Sequence, residues 1–104
     1  MRYRIRDVYF PPGVYDKIHA RGIDEHMVLR ALGPEPASGD PLPLPVGTWT
    51  DGRGQTELWM LARDPLAGTY LSLGFVIEAG GIGRCYHANH MTDRERRRFR
   101  RARE

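Results

Sequence analysis

An α+β fold is predicted by three features of this 104-residue chain. From Thr69 to Glu78, Leu71, Leu73, Phe75 and Ile77 fall on one face and Tyr70, Ser72, Gly74 and Val76 on the other, the alternation of a strand. Two short helical patterns with caps precede it, and a third, very basic one follows from Thr92. The order is an N-terminal strand, two helices, an antiparallel meander sheet and a C-terminal basic helix, in a single domain spanning 1–104.

Arg2 to Tyr9 alternates, with Arg2, Arg4 and Arg6 on one side and Tyr3, Ile5 and Tyr9 on the other, so a half-buried strand is expected there. Pro11-Pro12-Gly13 ends it. Pro12 suits the first position of a helix, where its missing N–H costs nothing. Val14 and Ile18 share a face of that helix, and Gly22 is its expected C′ residue. Asp24 caps the next helix, Ile23 and Val28 can staple its entry, and Met27, Val28, Ala31 and Leu32 face the core. Gly33-Pro34 stops it. Five prolines between Pro34 and Pro45 remove backbone donors, so 34–54 is expected as a loop insertion, a spacer in preference to a proline-rich ligand, with at most a ragged strand near Trp49. Glu57 to Arg63, Thr69 to Glu78 and Arg84 to Asn89 follow at meander spacing, separated by Asp64–Gly68 and Gly80–Gly83.

The last helix opens with a capping box, Thr92 and Glu95, and places Asp93 and Glu95 where the dipole favours negative charge. Thr92 to Glu104 holds seven arginines against three acids, a net +4, whereas Met1 to Met91 carries −1. Arg94, Arg97, Arg98 and Arg101 recur at helical intervals, and clustered guanidinium groups attract a polyanion. The competing reading is a solvated helix face. Only Met91, Phe99 and Ala102 offer an apolar stripe, so burial of Phe99 should dock one turn and leave the end from Arg100 frayed. Hydrophobic content of 40% and charged content of 28% exclude a wholly disordered chain. No apolar run approaches the roughly 20 residues that span a bilayer, nothing reads as a signal peptide, and a single cysteine, Cys85, excludes an internal disulfide. A cytoplasmic protein without membrane contact is expected.

Three stretches resemble BrnT-type toxins, of the RelE-like group of small bacterial ribonucleases from type II toxin–antitoxin pairs. The first is Val8-Tyr9-Phe10 with Lys17-Ile18-His19-Ala20-Arg21-Gly22-Ile23 and the acidic start Asp24-Glu25. The second is Leu61-Ala62-Arg63 with Gly68-Thr69-Tyr70-Leu71. The third runs from Arg84 to Phe99 and contains Met91-Thr92-Asp93-Arg94-Glu95-Arg96. Together they cover most of the chain outside 34–54. The likeness implies a small RelE-like domain, a cognate antitoxin of the ribbon-helix-helix kind, RNA as substrate, no cofactor, and a homodimer or a hetero-oligomer with the antitoxin. Two departures stand out. Asn89 replaces the arginine common two residues before the methionine, and Ala20-Arg21 replaces the Lys-His pair before glycine.

Cleavage of the RelE-like kind drives the RNA 2′-hydroxyl onto the neighbouring phosphate, which needs a base, a cation for the phosphoryl oxygens and an acid. Arg63 is the leading candidate for the cation, since its planar fork matches phosphate. Arg21 is a second, and His87 and His90, on either side of Asn89, are candidates for acid and base. Strand periodicity sends His87 and Asn89 to one side and His90 to the other. Each histidine has a plainer reading as a hydrogen-bonded strand or helix-entry residue. The His87-x-x-His90 spacing falls short of a zinc site without ligands from other elements, so no metal is expected. Trp49 and Trp59 could stack on bases, but Trp59 is expected in the core and Trp49 in the loop. The sequence thus leaves two functions open, an endoribonuclease toxin and an inactive module of the same fold that contacts RNA or protein.

Overall fold

The computed structural model describes residues 5, 7–33 and 43–102, the side chain of Trp49 excepted. Its elements are β1 (Asp7–Tyr9), α1 (Pro12–Ala20), α2 (Glu25–Ala31), β2 (Leu44–Thr50), β3 (Thr56–Arg63), β4 (Tyr70–Glu78), β5 (Ile82–His90) and α3 (Asp93–Arg101). The class is α+β. One five-stranded sheet has the order β1-β5-β4-β3-β2. β2 to β5 form an antiparallel meander, and β1 adds to the β5 edge in parallel, so the sheet is mixed.

Local signals account for the helices. Pro12 starts α1, and Gly22 follows its end at φ 76°, a left-handed turn that glycine makes without strain. The Asp24 side chain accepts from the Met27 backbone N–H at the start of α2. Thr92 and Glu95 close the capping box of α3 in both directions. Ile18, Ile23, Met27, Val28 and Ala31 pack on Leu58, Met60 and Ala62 of β3, Leu71, Leu73 and Phe75 of β4, and Cys85 and Ala88 of β5, with Leu32 and Ile77 at the margin. The β4 face read from the sequence is therefore the face beneath the helices.

The opposite face is covered in part by α3, where Phe99 and Met91 close on Leu61 beside Leu44, Val46 and Tyr70. Phe99 is buried, a contribution of about 1.5–3 kcal/mol to holding the helix down. Arg100 is not a frayed end, because its Nη2 donates to the Tyr70 hydroxyl at 3.0 Å. Two further expectations need correction. Leu44–Thr50 is a strand, not part of a loop across 34–54. Its proline, Pro45, fits because β2 is an edge strand, with a register shift between Pro45 and Gly47 that absorbs the missing donor. Residues 34–42 lie outside the described residues, as do 1–4 and 6 of the first expected strand. In the described part of that strand Tyr9 is exposed, while Val8 and Phe10 pack against the core.

One contact ties α2 to the meander. Asp64, in the β3–β4 turn, is wholly buried and accepts from Arg30 Nε at 2.8 Å and Nη2 at 2.6 Å. The same carboxylate accepts from the Leu66 backbone N–H. A bidentate guanidinium and a backbone donor together satisfy an ion that would otherwise be expensive to bury.

Candidate nucleic-acid interface

α3 covers only the end of its sheet face, and the rest of that face is built by a break in β5. Phe75 pairs with Cys85 but Gly74 pairs with His87, so Tyr86 is an extra residue, a β-bulge. Cys85 and Ala88 both reach the core beneath the helices, while Tyr86 and His87 both turn to the other face. Trp59 lies level with His87 across Gly74 in the strand register. The Trp59 ring meets Tyr86 edge-on at 5.9 Å and His87 at 4.9 Å between centroids. Trp59 is therefore half-buried in an aromatic row, not a core residue as expected.

Gly74 makes the row possible. A Cβ there would stand 2.9 Å from Tyr86 Cζ and 3.2 Å from His87 Cβ. Gly74→Ala should lift the tyrosine, cost about 1–3 kcal/mol as overpacking does, and change Trp59 fluorescence. An unchanged denaturation midpoint and spectrum would show that the row does not rest on this glycine. Burial pushes the Tyr86 phenol up to about 12, so it stays protonated and cannot serve as a base. Burial also lowers the His87 pKa below the ordinary histidine value, assisted by Arg21 and opposed by Glu95. His87 is consequently neutral at pH 7 and able to accept a proton.

The candidate residues do not form one centre. His87 and Asn89 share the uncovered face. Asn89 Oδ1 accepts from the His90 backbone N–H at 2.8 Å, which shapes the exit from β5. His90 turns to the helix side, where its Nε2 donates to the Arg21 carbonyl at 2.9 Å. Arg21 in turn donates from Nη1 to the Ala88 carbonyl at 2.8 Å, capping an edge of β5 that β1, paired only with Ile82–Arg84, leaves open. Arg21 and His90 thus latch α1 to β5. Arg63 sits level with Tyr70, four residues along β4 from the Gly74–His87 level, or about 13 Å. Its guanidinium carbon is 5.3 Å from the Tyr70 ring centre. Arg63 and His87 therefore do not meet over one phosphate. His87 and His90 lie on opposite faces, and among the described residues no three histidine, cysteine or acidic side chains gather as a metal-binding group.

The arginines of α3 divide around its axis. Glu95 points at the sheet, accepting from Ser72 Oγ at 3.0 Å, and Phe99 follows one turn later. At about 100° per residue, Arg96 and Arg100 turn to one flank, and their guanidinium carbons lie 4.6 and 5.4 Å from the Tyr70 ring centre. Arg94, Arg98 and Arg101 turn to the other flank, the side of His87 and Trp59. Arg97 lies on the outer crest and lines an open concavity with Asp93, Arg96 and Arg100. The sequence favoured Trp59 in the core over base stacking, and it did not single out Tyr86, Arg96 or Arg100 for this surface. The bulge depends on the partner strand, and the Arg96–Arg100 spacing carries no mark of where Tyr70 lies.

No helix among the described residues is long and apolar enough to cross a membrane. Comparison with protein-family models, with curated proteins and with solved structures gives no match to this chain.

Proposed function

We propose that this chain is the toxin of a bacterial type II toxin–antitoxin pair, a RelE-like endoribonuclease that needs no metal. What supports the reading is the phase of α3, which turns Arg94, Arg98 and Arg101 to the flank opposite Tyr70, toward the sheet face that bears half-buried Trp59, Tyr86 and His87. Single-stranded RNA binds surfaces of this composition, with bases stacked on aromatic rings and phosphates on guanidinium groups. In the proposed reaction His87 takes the proton of the 2′-hydroxyl and the 2′ oxygen forms a bond to phosphorus. The bond from phosphorus to the 5′ oxygen breaks, leaving a 2′,3′-cyclic phosphate, and that oxygen takes its proton from solvent at this open rim. The flanking arginines stabilise charge on the phosphoryl oxygens. An antitoxin segment rich in acidic residues would silence the protein by occupying the same arginines.

His87→Ala should lower the rate of RNA cleavage about 100-fold with the circular dichroism spectrum unchanged, the lower end of what one acid–base group supplies. A chelator should have no effect on the native chain. Cleavage that survives in His87→Ala, or that needs a divalent ion, removes this mechanism. A second reading is favoured by the commitment of Asn89 and His90 to backbone partners, which leaves His87, of these three candidates, for proton transfer. It is an inactive module that keeps RNA or protein contact, and RNA binding without cleavage by the native chain selects it.

A further inference from the structure

The flank of α3 turned away from His87 carries its own group of cations. Arg96 and Arg100, one helical turn apart, both lie over the Tyr70 ring, which Arg63 of β3 also approaches, and Arg100 donates to the Tyr70 hydroxyl. Tyr70 is itself fixed edge-on against buried Phe99, the ring centroids 6.1 Å apart. Beside them opens a concavity of about 220 Å³ lined by Asp93, Arg96, Arg97 and Arg100. Like charges at this helical spacing repel. Among the described residues none of these three arginines forms an ion pair.

A guanidinium stacked on a ring uses its flat face and keeps its N–H edge for in-plane donation, the geometry that grips phosphate oxygens two at a time. Tyr70 therefore holds the Arg96 fork ready before any ligand arrives, and fixes Arg100 beside it through the hydroxyl, which leaves that guanidinium's other N–H groups for a ligand. Charge narrows the ligand. Three guanidinium groups less the Asp93 carboxylate leave a formal +2 around the concavity. A phosphodiester link carries a single negative charge, whereas a phosphomonoester approaches −2 at neutral pH.

We propose that this concavity binds a phosphate dianion, either a terminal phosphomonoester of RNA or free inorganic phosphate. The site goes beyond the cleavage reading, since it does not use His87. Only its oligonucleotide form rests on RNA being a ligand. The test uses the full chain in two arms. In the first, inorganic phosphate is compared with chloride at equal ionic strength in thermal unfolding. In the second, a hexaribonucleotide with phosphate at both ends is compared with its hydroxyl-ended twin in a binding titration.

Phosphate should raise the unfolding midpoint by a few degrees through preferential binding to the folded chain. The phosphorylated hexamer should bind about tenfold more tightly than its twin, as expected for one added charge-assisted bidentate contact. Arg96→Gln with Arg100→Gln should erase both effects. Arg94→Gln with Arg98→Gln should weaken both hexamers alike and leave their ratio unchanged. A phosphate effect without a hexamer preference identifies the free anion as the occupant, and the converse identifies the RNA terminus. Absence of both effects, or survival of either in the Arg96→Gln, Arg100→Gln chain, overturns the site. If neither hexamer binds the native chain, the RNA reading falls while the phosphate arm still decides this proposal.

Discussion

Phe75→Ala is expected to destabilise the domain by about 3–5 kcal/mol, the range for deleting a large buried side chain. Phe75 is fully buried at the centre of β4. It pairs with Leu58 on one side and Cys85 on the other, both wholly buried, so neither neighbour can be replaced by water. Collapse into the void is restricted, because Phe75 sits where the β5 bulge begins and a Cβ on Gly83 would already stand 3.2 Å from its ring. A small domain has only about 5–15 kcal/mol in total. The alanine chain should therefore show a lower denaturant midpoint with a similar slope. A loss below about 1 kcal/mol would mean that β4 can slide or repack, contrary to the register described.

Asp64→Asn is expected to cost about 2–4 kcal/mol. Breaking a buried pair leaves one ion without its partner, and the Arg30 side chain, 35% exposed, recovers part of that loss from water. The pH dependence supplies an independent reading. Arg30, with the backbone donors at Leu66 and Ala67, holds the Asp64 pKa below the ordinary carboxylate value against the opposing effect of burial. The pair's contribution is fully present above the unfolded value of about 3.9 and is lost as pH falls through the lower folded value. The native chain should keep this contribution from pH 7 to 5 and lose it progressively in acid. The difference in stability between native and Asp64→Asn chains should shrink over the same acid range. A difference that stays constant to pH 2 would assign the loss to packing, not charge.

Features that the sequence made legible are local ones. The capping box needs only Thr92 and Glu95, and the β4 faces need only alternation over nine residues. The N-cap at Asp24 and the turn at Gly22 are equally self-contained. Features set by a distant partner were not legible. β2 was hidden by Pro43 and Pro45, which an interior strand would reject and an edge strand accepts. Asp64 reads as a turn residue beside Pro65, and nothing in its neighbours announces Arg30, 34 positions earlier. The candidate site suffered most from this limit. Periodicity separated His87 from His90, but it could not place Arg63 at the Tyr70 level, because that follows from the β3–β4 register. Arg21 carried a charge suited to phosphate, yet its guanidinium is used on a main-chain oxygen.

The parallel pairing of β1 with β5 has a consequence for how the molecule is made. Asp7 lies opposite Ile82, so the first described strand waits for nearly the whole chain before it finds its neighbour. Closing so long a segment is entropically unfavourable, though the penalty grows only logarithmically with length. On a ribosome adding residues from the N-terminus, α1 and α2 emerge early, but the sheet that buries Ile18 and Val28 is completed only when β5 has left the exit tunnel. α3 follows β5 directly. The two arginine flanks therefore take their places beside Tyr70 and the Trp59 row only after β3, β4 and β5 have paired.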